Sequence, residues 1–447
     1  MPNVNNARVK AAVAANIHLV KDTSGDYDAL LNDIGDARIV LIGEASHGTH
    51  EFYQERARIT QRLIAEKGFS GVAVEADWPD AYRVNRYVRN RGHDAGSVQA
   101  LSGFARFPTW MWRNTEVVRF IDWLRAHNES LSEASVKAGF YGLDLYSLFT
   151  SIEAVLRYLR EHDPEAAKRA RARYACFDHY HEDSQRYGYA AAFGMSSSCE
   201  DAVTEQLRDM QMHAFGSPND EDRDDDEFFY AHRNAILVRN AEEYYRTMFR
   251  GRVSSWNLRD SHMSETLDAL VSHLSRPDKP SKVVVWEHNS HIGDARATEI
   301  GRQGEWNVGQ LTREKYGNDA YLVGFTTHHG TVTAAADWDE PAERRRVRPG
   351  MGGSIEDMFH QVDIPAFMLL MRENAELADV LAQPRLERAI GVIYRPETER
   401  QSHYFHASLS QQFDAVIHID ETRALEPLER TTNWDMGEVA ETYPFGI

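Results

Sequence analysis

The feature that most constrains this chain is a repeated pairing of a short apolar run, rich in β-branched residues, with a following segment of helical periodicity. Residues 37–43 (ARIVLIG), 71–75 (GVAVE) and 138–143 (AGFYGL) show it in the first third. Runs of the same kind return at 282–287 (KVVVWE), 320–326 (AYLVGFT), 331–335 (TVTAA), 389–394 (AIGVIY) and 414–419 (DAVIHI). Strands that are apolar throughout lie buried on both faces, and their alternation with helices marks a parallel sheet. Residues 147–275 differ: they are rich in Ala, Arg, Glu and Tyr, carry 3.6-residue periodicity and offer no strand. The expectation is an α/β fold with a largely parallel central sheet flanked by helices. Residues 1–146 supply its first half with an N-terminal helix, 147–275 an inserted helical lobe, and 276–447 the second half. The acidic run from Asp222 to Glu227 and the charged, Pro- and Gly-containing stretch 340–353 read as surface loops, the second a mobile one.

At 447 residues, 42% hydrophobic and 27% charged, the chain can bury a sizeable core and is neither disordered nor collagen-like in composition. Its 50 basic against 69 acidic residues give a net charge of −19. Such a surface repels phosphate backbones and anionic lipid, so neither nucleic acid nor a membrane is an expected partner. The N-terminus reads as an amphipathic helix and not as a signal peptide, and no apolar run approaches the roughly 18 residues of a membrane span. Two cysteines, Cys176 and Cys199, have no metal-binding spacing and are expected as reduced thiols in a cytoplasmic protein. Nothing in these patterns specifies an oligomeric state.

Chemistry concentrates where strands end. Gly43-Glu44-Ala45-Ser46-His47-Gly48 directly follows an apolar strand, with His50, Glu51, Glu55 and Arg56 on the next helix. The carboxyl end of such a strand is where open α/β sheets bind ligands. The second unit repeats the placement with Glu75 and Asp77, and a carboxylate ending a buried strand is costly unless something pairs it. The run is one residue too long for a G-x-S-x-G nucleophile elbow, and adjacent Ser46 and His47 point to opposite sides of an extended segment. His50-Glu51 lacks the H-E-x-x-H spacing of zinc proteases.

A second constellation, Trp286-Glu287-His288-Asn289-Ser290-His291-Ile292-Gly293-Asp294, follows the 282 strand. Two histidines at i and i+3, with Asn289 and Asp294 available to fix tautomers, suit proton transfer. The rival is metal ligation by His47, His288, His291 and a carboxylate. Upstream, a helix beginning at Arg259 could aim Arg259 and His262 at the same crevice. Trp78, Phe107, Trp110, Trp112, Tyr141 and Tyr146 suit the walls of a large apolar ligand site. His403 and His406 have no assignable partner.

These blocks, GEASHGTHEFY (43–53), VEADWPDAYRVN (74–85), WMWRNTEVVRF (110–120), YGLDLYSL (141–148), RDSHM (259–263), VVVWEHNSHIGD (283–294) and GFTTHHGTV (324–332), resemble the erythromycin esterase family and its succinoglycan-biosynthesis homologues. The resemblance implies a mixed sheet, a helical lobe forming one wall of a deep cleft, and hydrolysis of a macrolide lactone by activated water without a covalent intermediate. It maps functional residues onto Glu44, His47, Arg56, Glu75, Arg259, His288 and His291, with His47 or His288 as the general base. Ester hydrolysis needs a base for water, a carboxylate to orient it and a cation for the oxyanion. His47 oriented by Glu44 or Glu75, with Arg56 or Arg259 at the oxyanion, fills those roles. His291, Trp78, Trp110, Trp112 and Tyr146 would contact substrate, and no metal or cofactor is assigned. The partner is a small ester or macrolide, whose cationic amino sugar an acidic rim would not repel. The alternatives are a metal-dependent hydrolase on the same fold and a non-catalytic homologue that binds a porphyrin or saccharide.

Overall fold

The computed structural model of the chain describes residues 2–133, 135–180, 183–216, 225–249 and 251–437. Its main sheet has eight strands in the order β1 (His18–Leu19), β9 (Ala366–Leu370), β12 (Ala415–Ile419), β6 (Ala320–Thr326), β2 (Ile39–Ile42), β5 (Val283–Trp286), β3 (Gly71–Asp77) and β4 (Gly139–Asp144). The six from β12 to β4 are mutually parallel, while at the far edge β9 runs antiparallel to β12 and β1 antiparallel to β9. The sheet is thus mixed, largely parallel and woven from both ends of the chain, since β2 lies between β6 and β5. Alternate residues of each strand enter separate cores: Ile39, Leu41, Val283 and Val285 on one face, Val40, Ile42, Val72 and Val284 on the other. Burial on both sides is why these strands carry no polar alternation.

The outer strands were harder to foresee. Residues 331–335 do form a strand, β7 (His329–Ala334), but it belongs to a separate three-stranded sheet with β8 (Glu343–Val347) and β13 (Glu421–Thr422). Five residues of the 340–353 stretch expected as a mobile loop therefore form β8, whose ERRRV sequence gives no apolar signal. Residues 389–394 are not a regular strand, because Ile390 and Ile393 make only single bridges, to Ser46 and Ala335. The strand there is β10 (Arg385–Arg388), paired with β11 (Tyr404–Ala407). His406 lies in β11 beside Glu299, and His403 Nε2 accepts from the Arg395 N–H.

Among the described residues, those between β4 and β5 form only helices, the longest being Asp225–Thr247 and Arg252–Leu274. Arg259 sits mid-helix and does not begin one. Asp222, Arg223 and Asp224 lie outside the described residues. Asp226 and Glu227 are not solvated loop as expected: Asp226 pairs with Arg89, Arg91 and His273, and Glu227 with Arg86. The expected free thiols are corrected too. Cys176 and Cys199 form a disulfide with Cα atoms 6.0 Å apart, closing a 23-residue separation, a cross-link worth roughly 3 kcal/mol. The cytoplasmic expectation loses the support it drew from them. No helix among the described residues is long and apolar enough to cross a membrane.

Two glycines let the strand ends close on one another. A Cβ on Gly43, just past β2, would strike Asn289 Oδ1, and one on Gly48 would strike the Thr333 carbonyl. Asn289 needs that space, because its side chain bridges β5 to β6 by donating to the Phe325 carbonyl (2.7 Å) and accepting from the Phe325 N–H (3.3 Å).

Candidate active site

Four adjacent strands, β2, β5, β3 and β4, end on one edge of the sheet, so the groups just beyond them meet. Glu75 is the hub. Its Oε1 accepts from Arg259 Nη2 at 2.7 Å and its Oε2 from the His288 backbone N–H at 2.9 Å. Arg259 reaches down from the helix Arg252–Leu274, donating also to Asp144 Oδ1 (2.9 Å) and Oδ2 (2.7 Å) at the end of β4 and to His291 Nε2 (3.0 Å). Burial alone would push the Glu75 carboxyl up; His291, Arg259 and His47 outweigh it and hold the group well below the usual carboxylate range. Asp144 is likewise held low against its burial by Arg259.

The three histidines differ in what fixes each ring. His47 Nδ1 lies 2.9 Å from Glu44 Oε1. An ionised carboxylate can only accept, so Nδ1 carries the proton and Nε2 keeps a free lone pair. Glu44 is itself backed by Arg56, whose Nη2 is 3.2 Å from Oε2 at an angle poor for a hydrogen bond. His288 is the reverse. Its Nδ1 accepts from the Ser290 N–H (3.2 Å) and faces the Ser290 hydroxyl (2.8 Å), so its proton sits on Nε2. That Nε2 is buried and makes no hydrogen bond of good geometry, although the Ala45 carbonyl lies close enough to favour a proton there. Burial and the neighbouring His47 hold His288 neutral, well below the usual imidazole range. The two rings stand 4.7 Å apart. His291 stacks on Trp256 and turns Nδ1 to Asp260 Oδ1 (2.9 Å). Burial lowers its pKa, but Asp260 and Glu75 more than reverse that. The Arg259 contact nevertheless requires Nε2 as acceptor, so with that contact made the ring is neutral; once protonated, Nε2 has Glu75 Oε1 at 3.5 Å instead.

Above this floor lies a cavity of about 190 Å³. His47, Glu75, Asp144 and Arg259 form its base, Phe104, Arg106, Phe107, Met111, Trp112 and Trp338 its sides, and Tyr146 lies against both arginines, 4.9 Å from Arg106 and 5.0 Å from Arg259. The 104–112 segment supplies more of the wall than the helices after β4, which contribute Arg259, so the expected helical wall is a minor one. Of the four aromatic residues expected to contact substrate, Trp112 and Tyr146 line the cavity. Trp78 and Trp110 do not: Trp78 is packed against Tyr141 and Tyr230, and Trp110 sits in a small core with Ala335 and Trp434.

Other expected members also fall elsewhere. Arg56 is fully buried beneath the floor between the rings of Tyr53 and Trp286, too deep to meet an oxyanion. Ser46 contacts Thr49, His50 is tied to Arg423 and Glu116, and His262 faces Asn240 of a neighbouring helix. Asp294 pairs with Arg296, and Ser290 and Asp260 set the histidine tautomers in its place.

Several participants carried no local signal. Asp144 and Asp260 matter only because Arg259 and His291 fold against them. Asp80 lines the cavity, where burial and nearby Asp77 push its carboxyl up to about 7. Glu287 is fully buried with neither oxygen hydrogen-bonded; burial, Glu75 and Asp260 hold it protonated. Among the described residues the cleft histidines do not converge with a carboxylate as a metal-ligating group: His47 and His288 turn Nδ1 to Glu44 and Ser290, and both nitrogens of His291 are taken by Asp260 and Arg259.

The erythromycin esterase family profile matches residues 64–422. Erythromycin esterase type II of Escherichia coli is 22% identical over 430 residues, covering 91% of this chain and 94% of its own. Two solved structures share the fold: a succinoglycan biosynthesis protein at 20% identity and TM-score 0.73, covering 94% of this chain and 98% of its own, and a mutant of the erythromycin esterase EreC in its open conformation at 18% and 0.66, covering 90% and 95%.

Proposed function

The chain belongs to the erythromycin esterase family, and on that premise we propose that it hydrolyses a carboxylic ester or macrolide-type lactone by direct attack of water, with His47 as the general base. One observation carries the choice of base: Glu44 fixes the His47 proton on Nδ1, whereas Ser290 fixes the His288 proton on Nε2. The His47 lone pair at the cavity base takes a proton from water, and Glu44, steadied by Arg56, stabilises the imidazolium that forms. His288 offers a donor in place of a base. Its Nε2–H is buried beside the His47 ring, close to the Ala45 carbonyl, so His288 supports that ring from behind the cavity wall.

Arg259 is the oxyanion candidate. Four of its five N–H donors are used by Asp144, Glu75 and His291, leaving one on Nη1 for substrate. Attack by Ser46 has no support, because its hydroxyl is engaged by Thr49. Metal-assisted attack is disfavoured by the guanidinium of Arg259 at the centre of the site, paired to Glu75, Asp144 and His291.

A cavity of about 190 Å³ is smaller than the roughly 300–1,000 Å³ that drug-sized ligands occupy. A macrolide therefore requires the 104–112 segment and Trp338 to move apart, while a small ester fits directly. The test is incubation with a panel of macrolides and aryl esters, read by mass spectrometry. A gain of one water on a panel member, lost in His47→Ala, supports the reading; no turnover on any of them contradicts it.

A further inference from the structure

Outside the cleft, one group of side chains among the described residues converges in the manner of a metal site. His328 lies between β6 and β7, His329 opens β7, His360 ends the helix Ile355–His360, and Asp420 follows β12. One ligand atom from each lies within 4.8 Å of all the others. The two adjacent histidines turn Nδ1 to Nδ1 at 3.0 Å, His360 Nδ1 is 2.8 Å from Asp420 Oδ1, and the His328 and His360 rings stack 3.8 Å apart. The sequence block that contains His328 and His329 has no part in the hydrolytic mechanism.

The backbone that presents these groups is held from several sides. The N–H groups of His328 and His329 both donate to the Asp420 carbonyl at 3.1 Å. Fully buried Arg388 donates Nη2 to the carbonyls of Thr327 (2.6 Å) and His328 (2.7 Å). Two of the ligand-bearing segments are therefore locked together before any ion arrives. Imidazoles in a structural cluster commonly point at carboxylates or carbonyls. Here two face each other, Nδ1 to Nδ1. Three neutral imidazoles and one carboxylate make a donor set with a formal charge of −1, matched to a dication.

We propose that His328, His329, His360 and Asp420 bind a divalent transition-metal ion, zinc in preference to magnesium or calcium, at a site separate from the hydrolytic cleft. Three nitrogens and one oxygen are donors that zinc favours and hard cations do not. Ligand atoms of a tetrahedral zinc lie roughly 3.3–3.4 Å apart, given bonds of about 2.0–2.1 Å, so His328 and His329 need only small adjustments. His360 is 44% exposed on its side chain and can tilt out of its stack to meet the ion, leaving an entry path. The bound ion ties three segments of the chain together, so binding adds directly to folding stability.

The test uses the full chain, stripped with a chelator, dialysed with zinc and analysed for metal after gel filtration, with cobalt as the spectroscopic probe. Wild type and His47→Ala should each retain about one zinc, give the visible absorption of tetrahedral cobalt, and melt at a higher temperature with zinc than without. His360→Ala, at an exposed position, and Asp420→Asn, at a partly buried one, should bind about 100-fold more weakly or worse and lose the melting shift. Failure of wild type to retain zinc overturns the proposal. So does equal retention by His360→Ala and Asp420→Asn, or loss in His47→Ala, which would put the ion elsewhere.

Discussion

Along the carboxyl edge of one sheet, histidines gather twice, and the two gatherings are built to different plans. Beyond β2 and β5 each ring has its Nδ1 tied to a separate partner: His47 to Glu44, His288 to Ser290, His291 to Asp260. Beyond β6 and β12, two rings lean on one another and a third stacks over them. Separate partners fix each proton in place, which proton transfer needs; mutual contact leaves the nitrogens convergent, which metal ligation needs. The surroundings follow suit. Arg259 and fully buried Arg56 fill the first region with fixed positive charge, and the second opens to solvent at His360.

The largest way to break the first region is to remove its cation. Arg259→Ala leaves Glu75 and Asp144 buried without their partner, which should cost about 3–5 kcal/mol in urea unfolding and abolish hydrolysis. A loss below about 1 kcal/mol would mean the carboxylates do not depend on it. Next, His47→Ala should lower kcat by about 10³-fold while leaving the melting temperature and zinc retention unchanged. An effect on zinc retention would merge the two regions into one site.

Asp80 gives a smaller effect that depends on pH. Its folded-state pKa of about 7 lies above the unfolded value near 3.8, so the folded state holds the extra proton between them. Stability from this group is complete below about pH 4 and is lost as pH rises through 7. Asp80→Asn should therefore be more stable than wild type at pH 8, by about 1–3 kcal/mol, with the gap closing by pH 4. A gap that widens in acid would contradict the sign. Smallest of all should be Glu287→Gln. If Glu287 is already protonated, the amide replaces it at about 1 kcal/mol or less at neutral pH, whereas Glu75→Gln, which removes a paired charge, should cost several-fold more.

The sequence carries one half of this comparison better than the other. Glu44, His47, Glu75 and His288 are legible because each follows a buried strand, and a polar group there is anomalous on its own. Asp144 and Asp260 look like ordinary acids until a helix more than 100 residues from Asp144 packs Arg259 against it. Trp78 and Trp110 show the opposite failure: an aromatic suits a core and a cleft wall equally well, and chain position does not choose between them. The disulfide and the convergence of His360 and Asp420 on His328 depend on contacts between distant segments, which periodicity does not report.

The central claim is that His47, and not His288, accepts the proton from water. Asparagine tests this, since its amide can donate a hydrogen bond but cannot act as a base at neutral pH. The decisive measurement is the steady-state hydrolysis rate, on the fastest panel ester, of wild type, His47→Asn and His288→Asn at equal folded concentration. The account predicts that His47→Asn falls by about 10³-fold and His288→Asn by no more than about 10²-fold; a deeper loss in His288→Asn than in His47→Asn would contradict it.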